Sequence, residues 1–124
     1  MIFRGGKNVK FKIMKRKRIY ISIPISGHDL EEVKEKARNI REWVLWDELG
    51  IEKGLDIITP FDVCPEPDKP YSYYMGKDIE ALLECDAIYL CEGWQNSKGC
   101  MAECEVARIY GKEIMFEKQW QHQF

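Results

Sequence analysis

The sequence lacks the features that mark membrane-spanning, secreted and zinc-binding proteins. No apolar run approaches the roughly 18 residues that a membrane span needs, and no apolar segment follows the basic N-terminus as it would in a secretory signal. The five cysteines show no CxxC spacing, and the chain contains two histidines. We therefore expect reduced thiols, no metal site, no membrane contact and a cytoplasmic location.

Acidic residues are absent from the N-terminal segment. Residues 1–18 hold eight Lys and Arg, whereas the rest of the chain holds eleven Lys and Arg against 21 Asp and Glu. A basic arm could bind nucleic acid, but the acidic remainder argues against it, and we do not expect a nucleic-acid partner. We predict a basic N-terminal extension over residues 1–17 and a single domain over residues 18–124.

Strands and helices alternate along the predicted chain. The segment "RIYISIPIS" is almost continuously apolar, as expected for a strand buried on both faces of a parallel sheet. Strands are predicted over 18–26, 54–60, 87–94 and 113–117, helices over 30–49, most of 71–86 and part of 93–112, and a proline-rich loop over 61–70. The alternation predicts an α/β fold, a three-layer sandwich around a flavodoxin- or Rossmann-like parallel sheet of four to five strands. Ligands of such sheets bind at the carboxyl ends of the strands.

One carboxylate interrupts the apolar face of the last predicted helix. Helical spacing places Ala102, Val106, Ile109 and Tyr110 in one inward-facing stripe and Glu103 at its edge. A buried carboxylate costs free energy unless it is paired or used in function. If the predicted sheet is correct, Glu103 lines a pocket instead of the core.

Two turns could bind an anion, although Walker and GxGxxG patterns are missing. Ser26-Gly27 and Ser97-Lys98-Gly99 each place a hydroxyl and free backbone N–H groups near a helix start, where phosphate binds readily. Asp29 is a plausible N-cap for the helix over 30–49. The alternative is that Ser97 is only an N-cap and Gly27 only a turn residue.

A second carboxylate could act with Glu103. Cleavage of a glycosidic bond uses two carboxyl groups that flank the sugar, and Asp78 could form such a pair. Alternatively, Asp78 compensates the dipole at the start of its helix. Asp86 precedes a strand, and we interpret it as a turn or cap residue.

Aromatic residues are concentrated at the predicted ligand edge. Their rings could stack on a nucleobase, although each ring taken alone is more often part of a core. The set comprises Tyr20, Tyr71, Tyr73, Tyr74 and Trp94.

Motifs in three separate segments share the spacing of one enzyme superfamily. Tyr20-Ile-Ser-Ile-Pro24 matches a Y-x-x-G-P opening, with Ile23 in place of the glycine. The other matches are Asp78 and Asp86, then Gly99, Glu103, Ala107 and Gly111-Lys112, and a W-x-x-S-x-G pattern at Trp94, Ser97 and Gly99. From about residue 18 to 116 the chain thus resembles the nucleoside 2-deoxyribosyltransferase superfamily, which includes the nucleoside 5′-monophosphate N-glycosidases. It is most similar to a branch of that superfamily known as a domain of unknown function.

The resemblance implies roles for individual residues. Glu103 would be the nucleophile that attacks the anomeric carbon, and Asp78 and Tyr20 would assist as catalytic residues, without a cofactor or metal. We assign substrate binding to Ser22, Pro24, Ser26, Gly27, Trp94, Ser97 and Gly99, with Ser97 on the phosphate. Ile23 would narrow the pocket beside the sugar.

The implied function is hydrolysis or transfer at the N-glycosidic bond of a small-molecule substrate, a nucleoside or nucleoside 5′-monophosphate. The alternative is a non-catalytic module that binds or senses nucleotides on the same fold. The resemblance also implies a homo-oligomer, to which the C-terminal "QWQHQF" could contribute.

Overall fold

A computed structural model of the chain describes residues 17–43 and 55–117. The predicted extension lies outside these residues except for Lys17, which is the first residue of a strand. The end of the predicted helix over 30–49 and the segment "QWQHQF" also lie outside them. The division of the chain into an extension and a domain stays a prediction.

The described residues form a parallel sheet with helices between its strands. The elements are β1 (Lys17–Ser22), α1 (Leu30–Trp43), β2 (Leu55–Ile58), α2 (Pro60–Val63), α3 (Tyr71–Leu83), β3 (Ala87–Leu90), a 3₁₀ turn (Trp94–Asn96), α4 (Lys98–Ile109) and β4 (Glu113–Phe116). The strands lie in the order β2-β1-β3-β4, and every pairing is parallel. This confirms the predicted parallel α/β fold, with four strands in the described part of the chain.

Two cores lie on opposite faces of the sheet because successive residues of a strand point in opposite directions. On one face, β1 packs against α1 through Ile19, Ile21, Val33 and Ala37. On the other face, the central strands pack against α3 and α4 through Tyr20, Ile88, Leu82 and Ala107. The result is the predicted three-layer sandwich.

Local capping sets where two helices begin. The carboxylate of Asp29 accepts a hydrogen bond from the Glu32 N–H at 3.0 Å, so Asp29 caps α1 as predicted. Thr59 and Asp62 form a reciprocal capping box that starts α2 at Pro60. The prediction of a loop throughout 61–70 was therefore wrong at its beginning, where the capping box favours a short helix.

The two central strands are shorter than predicted. β1 ends at Ser22, which is in register with Leu90, the last residue of β3. Beyond these residues Pro24 has no N–H to donate to a neighbouring strand, and Gly93 turns the chain with a φ of 89°. The residues that follow both strands therefore form loops at one edge of the sheet.

The order of the strands reverses between β1 and β3. The chain passes from β1 through α1 to β2 on one side, and from β3 through α4 to β4 on the other. In open α/β sheets the crevice outside the carboxyl ends of such strands is the usual ligand site. A ligand site is therefore expected at the carboxyl ends of β1 and β3.

The helices of the described ranges are short, and the longest, α1, has 14 residues. None of them has the length and apolarity that crossing a bilayer requires.

Candidate active site

Helix α4 turns Glu103 towards the sheet. The buried residues of this helix are Cys100, Glu103 and Ala107, whose spacing places them on one face. The predicted inward stripe was wrong, because Val106 is only partly buried and the other three members are exposed: Ala102, Ile109 and Tyr110. Glu103 thus lies in the middle of the buried face and not at its edge. The small side chains of Cys100 and Ala107 let the helix pack against the sheet.

Two hydroxyl groups of β1 hold the Glu103 carboxylate. The Tyr20 hydroxyl donates to Glu103 Oε2 at 3.0 Å, and the Ser22 hydroxyl donates to Glu103 Oε1 at 2.6 Å. Tyr20 and Ser22 are two residues apart on the strand, so both point to the same face. Both are fully buried, and Glu103 is 4% exposed. Each carboxylate oxygen therefore has one neutral donor in place of water.

Asp78 is the second carboxyl group near this site. It is the eighth residue of α3, far from the helix start, so the interpretation as a dipole-compensating residue was wrong. Asp78 is buried, and its Oδ1 has no hydrogen-bond partner within residues 17–43 and 55–117. A buried acceptor without a donor is rare, so Oδ1 of Asp78 keeps its capacity to accept a hydrogen bond.

Burial raises the pKa of both carboxyl groups. The pKa of Glu103 rises to about 7, mainly because of burial and also because of the Asp78 charge, while the donors Ser22 and Tyr20 lower it. Burial raises the pKa of Asp78 to about 6, and the Tyr20 hydroxyl opposes this increase. Burial also raises the pKa of Tyr20 well above 10. The pKa values of both carboxyl groups therefore lie closer to neutral pH than those of ordinary surface carboxylates.

Ser97 is the N-cap residue of α4, the helix that carries Glu103. Its hydroxyl accepts a hydrogen bond from the Cys100 N–H at 3.2 Å, so the interpretation of Ser97 as an N-cap is confirmed. The N–H groups of Lys98 and Gly99 lie in the first turn, where a helix offers them no acceptor. A methyl group on Gly99 would approach the Tyr71 hydroxyl to 3.2 Å, so glycine permits α3 and α4 to lie close together here.

Two loops meet at the carboxyl edge of the sheet. A Cβ atom added at Gly93 would lie 3.8 Å from Pro24 Cγ. The loop after β3 therefore lies against the loop after β1. Ser26 and Gly27 are exposed in the latter loop, and Gly27 has a φ of 84°. Binding of substrate by Pro24, Ser26 and Gly27 stays a prediction.

The predicted aromatic residues have different surroundings and roles. The ring of Trp94 lies 5.9 Å from that of Phe116 and lines a shallow cavity of about 190 Å³ at the ends of β3 and β4. The Tyr74 hydroxyl accepts from the Lys69 N–H and donates to the Glu66 carbonyl, so it holds the loop before α3. Tyr71 is 57% exposed beside Gly99. Of the five aromatic residues, Tyr20 is the one whose hydroxyl contacts Glu103.

A family model described as "Domain of unknown function (DUF4406)" matches residues 17–116. The chain belongs to this family. The match begins with β1 and ends with β4, so it includes every residue of the Glu103 cluster.

Two solved structures share the fold of this DUF4406 chain. A 2-deoxyribosyltransferase from Leishmania mexicana superposes with a TM-score of 0.59 at 20% identity, covering 81% of this chain and 63% of its own. A CMP N-glycosidase from Clostridium botulinum superposes with a TM-score of 0.52 at 23% identity, covering 81% of this chain and 70% of its own. The DUF4406 chain thus has the fold of the nucleoside 2-deoxyribosyltransferase-like superfamily, as its motifs indicate. It spans less than two thirds of the length of the Leishmania protein. No curated protein matches the sequence.

One departure from the superfamily motif lies on the opposite face of the sheet from the Glu103 cluster. Ile23 was expected to narrow the pocket beside the sugar, but it is buried in the core on the α1 side of the sheet. Because Tyr20 and Ser22 point to the opposite face, Ile23 lies behind the site. That expectation was wrong.

The contact between Ser22 and Glu103 is the feature that sequence reasoning missed. We predict Ser22 as a substrate-binding residue, whereas the structure places its hydroxyl on the Glu103 carboxylate. Strand periodicity offered a signal, because a residue two positions after Tyr20 faces the same side.

Within the described ranges, no three His, Cys, Asp or Glu side chains converge as a metal ligand set would.

Proposed function

We propose that this chain hydrolyses, or transfers across, the N-glycosidic bond of a nucleoside or nucleoside 5′-monophosphate, with Glu103 as the nucleophile. The observation that carries the proposal is a buried carboxylate held on both oxygens at the strand-order reversal, beside a second buried carboxyl group. The names of the structural neighbours support it, since one is a 2-deoxyribosyltransferase and the other a CMP N-glycosidase.

The proposed reaction uses two displacements at C1′ of the sugar. An oxygen of the Glu103 carboxylate bonds to C1′ while the C1′–N bond breaks, and the electron pair leaves with the base, which takes up a proton. Water, or a second base in a transfer, then attacks C1′, loses a proton and releases Glu103. The negative charge of Glu103 would stabilise the oxocarbenium-like transition state. The free Oδ1 of Asp78 would bind the sugar or pass a proton.

A monophosphate is the favoured substrate class. The first turn of α4, with Ser97 and Gly99, offers N–H groups to an anion, and Ser26-Gly27 lies just before α1. Pro24 and Trp94 would border the bound nucleotide. The step needs only carboxyl groups, so we propose that no cofactor or metal takes part.

We further propose that the protein acts in the cytoplasm as a homo-oligomer. All five cysteines are free thiols, which is typical of reducing compartments. Helix α4 and its C-cap expose large apolar side chains that another subunit could cover, namely Met101, Ile109 and Tyr110.

The test of activity is release of free base from a panel of nucleosides and nucleoside 5′-monophosphates, followed by chromatography. We expect wild type to release base, and Glu103→Gln to lose activity by about 10³-fold because the amide cannot act as a nucleophile. Glu105→Gln is the matched control, since Glu105 lies on the exposed side of α4 and should be dispensable. If wild type releases no more base than Glu103→Gln, the proposal is wrong.

The low exposure of Glu103 also supports a second candidate function. Both of its oxygens are already hydrogen-bonded inside the protein, which suits a polar cluster that shapes a nucleotide-binding site without reacting. A non-catalytic binding or sensing module would be stabilised against heat by a nucleotide equally in wild type and Glu103→Gln, without base release. A nucleotide that stabilises neither variant would contradict this alternative.

A further inference from the structure

We propose that Ser22 is a positioning residue, which fixes the plane of the Glu103 carboxylate and keeps it charged for attack on C1′. The proposal rests on the proposed function of Glu103. It assigns to Ser22 a role exerted through Glu103 and not through contact with substrate.

The hydroxyl groups of Ser22 and Tyr20 donate to different oxygens of the Glu103 carboxylate. A glutamate carboxylate rotates easily about its terminal bond, so a single donor would leave the direction of its lone pairs undefined. Ser22 donates to Oε1 and Tyr20 donates to Oε2, which fixes both ends of the group. A carboxylate oxygen accepts more than one hydrogen bond, so each oxygen keeps a lone pair that could approach C1′.

The donor position of Ser22 is fixed by the backbone. Ser22 is in register with Leu90 of β3, and its carbonyl accepts a hydrogen bond from the Cys91 N–H at 2.9 Å. Tyr20 lies on the same strand, which pairs with β2 on one side and β3 on the other. The two hydroxyl groups therefore belong to one rigid strand and keep a constant separation, as an ordered site requires.

Within residues 17–43 and 55–117, no positively charged group contributes to holding Glu103 charged. The titratable groups of these ranges that influence Glu103 are Tyr20 on β1, Asp78 on α3, Cys100 on α4 and Cys91 after β3, and each of these is neutral or negative. The 2.6 Å contact has the length of a hydrogen bond from a hydroxyl to a charged carboxylate. Loss of this bond would leave a buried oxygen without that donor and favour the protonated form of Glu103.

The test compares Ser22→Ala with wild type on a substrate that the base-release panel identifies. We expect kcat to fall by about 10- to 100-fold with KM nearly unchanged, and the acidic limb of the kcat profile to move up by about one pH unit. Ser22→Thr, which keeps the hydroxyl, should recover most of both effects. Ser72→Ala changes an exposed serine of α3 and should match wild type.

A second measurement does not depend on turnover. The full chain is labelled with ¹³C at glutamate carboxyl carbons, and the Glu103 signal is assigned by its absence from Glu103→Gln. We expect this signal to titrate at a higher pH in Ser22→Ala than in wild type. A merely structural role of Ser22 would lower stability without moving this titration.

The outcomes separate the two proposals. An active wild type whose kcat and Glu103 titration are both unchanged in Ser22→Ala would overturn the role of Ser22 and leave the proposed function intact. An inactive wild type would overturn the proposed function. If Glu103 then still titrates higher in Ser22→Ala, Ser22 stands as the residue that holds Glu103, and if it does not, both proposals are wrong.

Discussion

Glu103 and Glu105 have the same chemistry and opposite surroundings on α4. Glu105 is exposed, and its hydrogen bond with Arg108 lowers its pKa. Glu103 faces the sheet, where two hydroxyl groups offset only part of the cost of burial, so its pKa remains raised. Comparing variants of the two residues therefore separates the effect of burial from that of removing a glutamate from this helix.

We expect the free energy of unfolding to fall as the pH rises from about 5 to about 8. The pKa of Glu103 rises from an ordinary 4.5 in the unfolded chain to about 7 in the folded protein, so the folded protein binds this proton more tightly. The stability gained by protonation is complete below the unfolded-state pKa and is lost as the pH rises through 7. The shift in the pKa of Glu103 from 4.5 to about 7 corresponds to about 3 kcal/mol of the free energy of unfolding. Urea denaturation at a series of pH values measures this change.

The variants identify which residue causes this slope. Glu103→Gln should remove much of the decrease, leaving the smaller part that the raised pKa of Asp78 contributes. Glu105→Gln should keep the wild-type slope. An unchanged slope in Glu103→Gln would mean that Glu103 titrates like an ordinary surface carboxylate.

At the scale of elements, α3 and α4 approach each other closely at Gly99. Gly99 lies in the first turn of α4. A Cβ atom added at Gly99 would lie 3.2 Å from the hydroxyl oxygen of Tyr71 and 3.5 Å from the sulfur of Met75. Tyr71 is exposed and so can move aside, whereas the backbone of α4 is fixed by the Ser97 cap. A side chain at position 99 would therefore crowd the proposed phosphate site more than it would disturb the core.

We expect Gly99→Ala to raise the free energy of unfolding by roughly 0.5 kcal/mol, because alanine favours the helix more than glycine does. It should also raise KM for a nucleoside 5′-monophosphate several-fold, because the new methyl group lies beside the first-turn N–H groups. Urea denaturation and initial-rate kinetics measure the two effects.

Gly76→Ala is the control, since an added Cβ at Gly76 on α3 meets nothing within 4 Å. It should stabilise the protein by about 1 kcal/mol and leave KM unchanged. A loss of stability in Gly99→Ala would show that Tyr71 and Met75 cannot yield, and an unchanged KM would remove Gly99 from the binding site.

At the scale of the whole molecule, the sequence predicted the sheet because its signals are strong and local. β1 is apolar on both faces and β4 follows a glycine, so the alternation of strands and helices was readable. The proximity of Tyr20, Asp78 and Glu103 came from the superfamily resemblance, since no local pattern reports contacts between residues so distant in the chain.

The orientation of α4 could not be predicted from its apolar residues. Ile109 at its end and the capping residue Tyr110 are exposed, while small residues and Glu103 face the sheet. The helix packs against α3, β3 and β4, and the hydroxyl groups of Tyr20 and Ser22 hold Glu103 on its inner face. Neither kind of contact appears in the helical periodicity. The exposed Ile109 and Tyr110 side chains are also part of the surface through which we propose that subunits associate.

We expect light scattering after size exclusion to give a mass at least twice that of one 14.7 kDa chain. Ile109, the last residue of α4, and Tyr110, which caps the helix, are 60% and 64% exposed, and covering them in a second subunit would remove apolar surface from water. Ile109→Lys should weaken association by tenfold or more, since it would bury a charge. Leu30→Lys is the control, because Leu30 is similarly exposed, 47%, but lies at the start of α1 on the other face of the sheet. A wild-type protein of single-chain mass would contradict the proposed assembly, and a mass lowered equally by both variants would place the interface elsewhere than on α4.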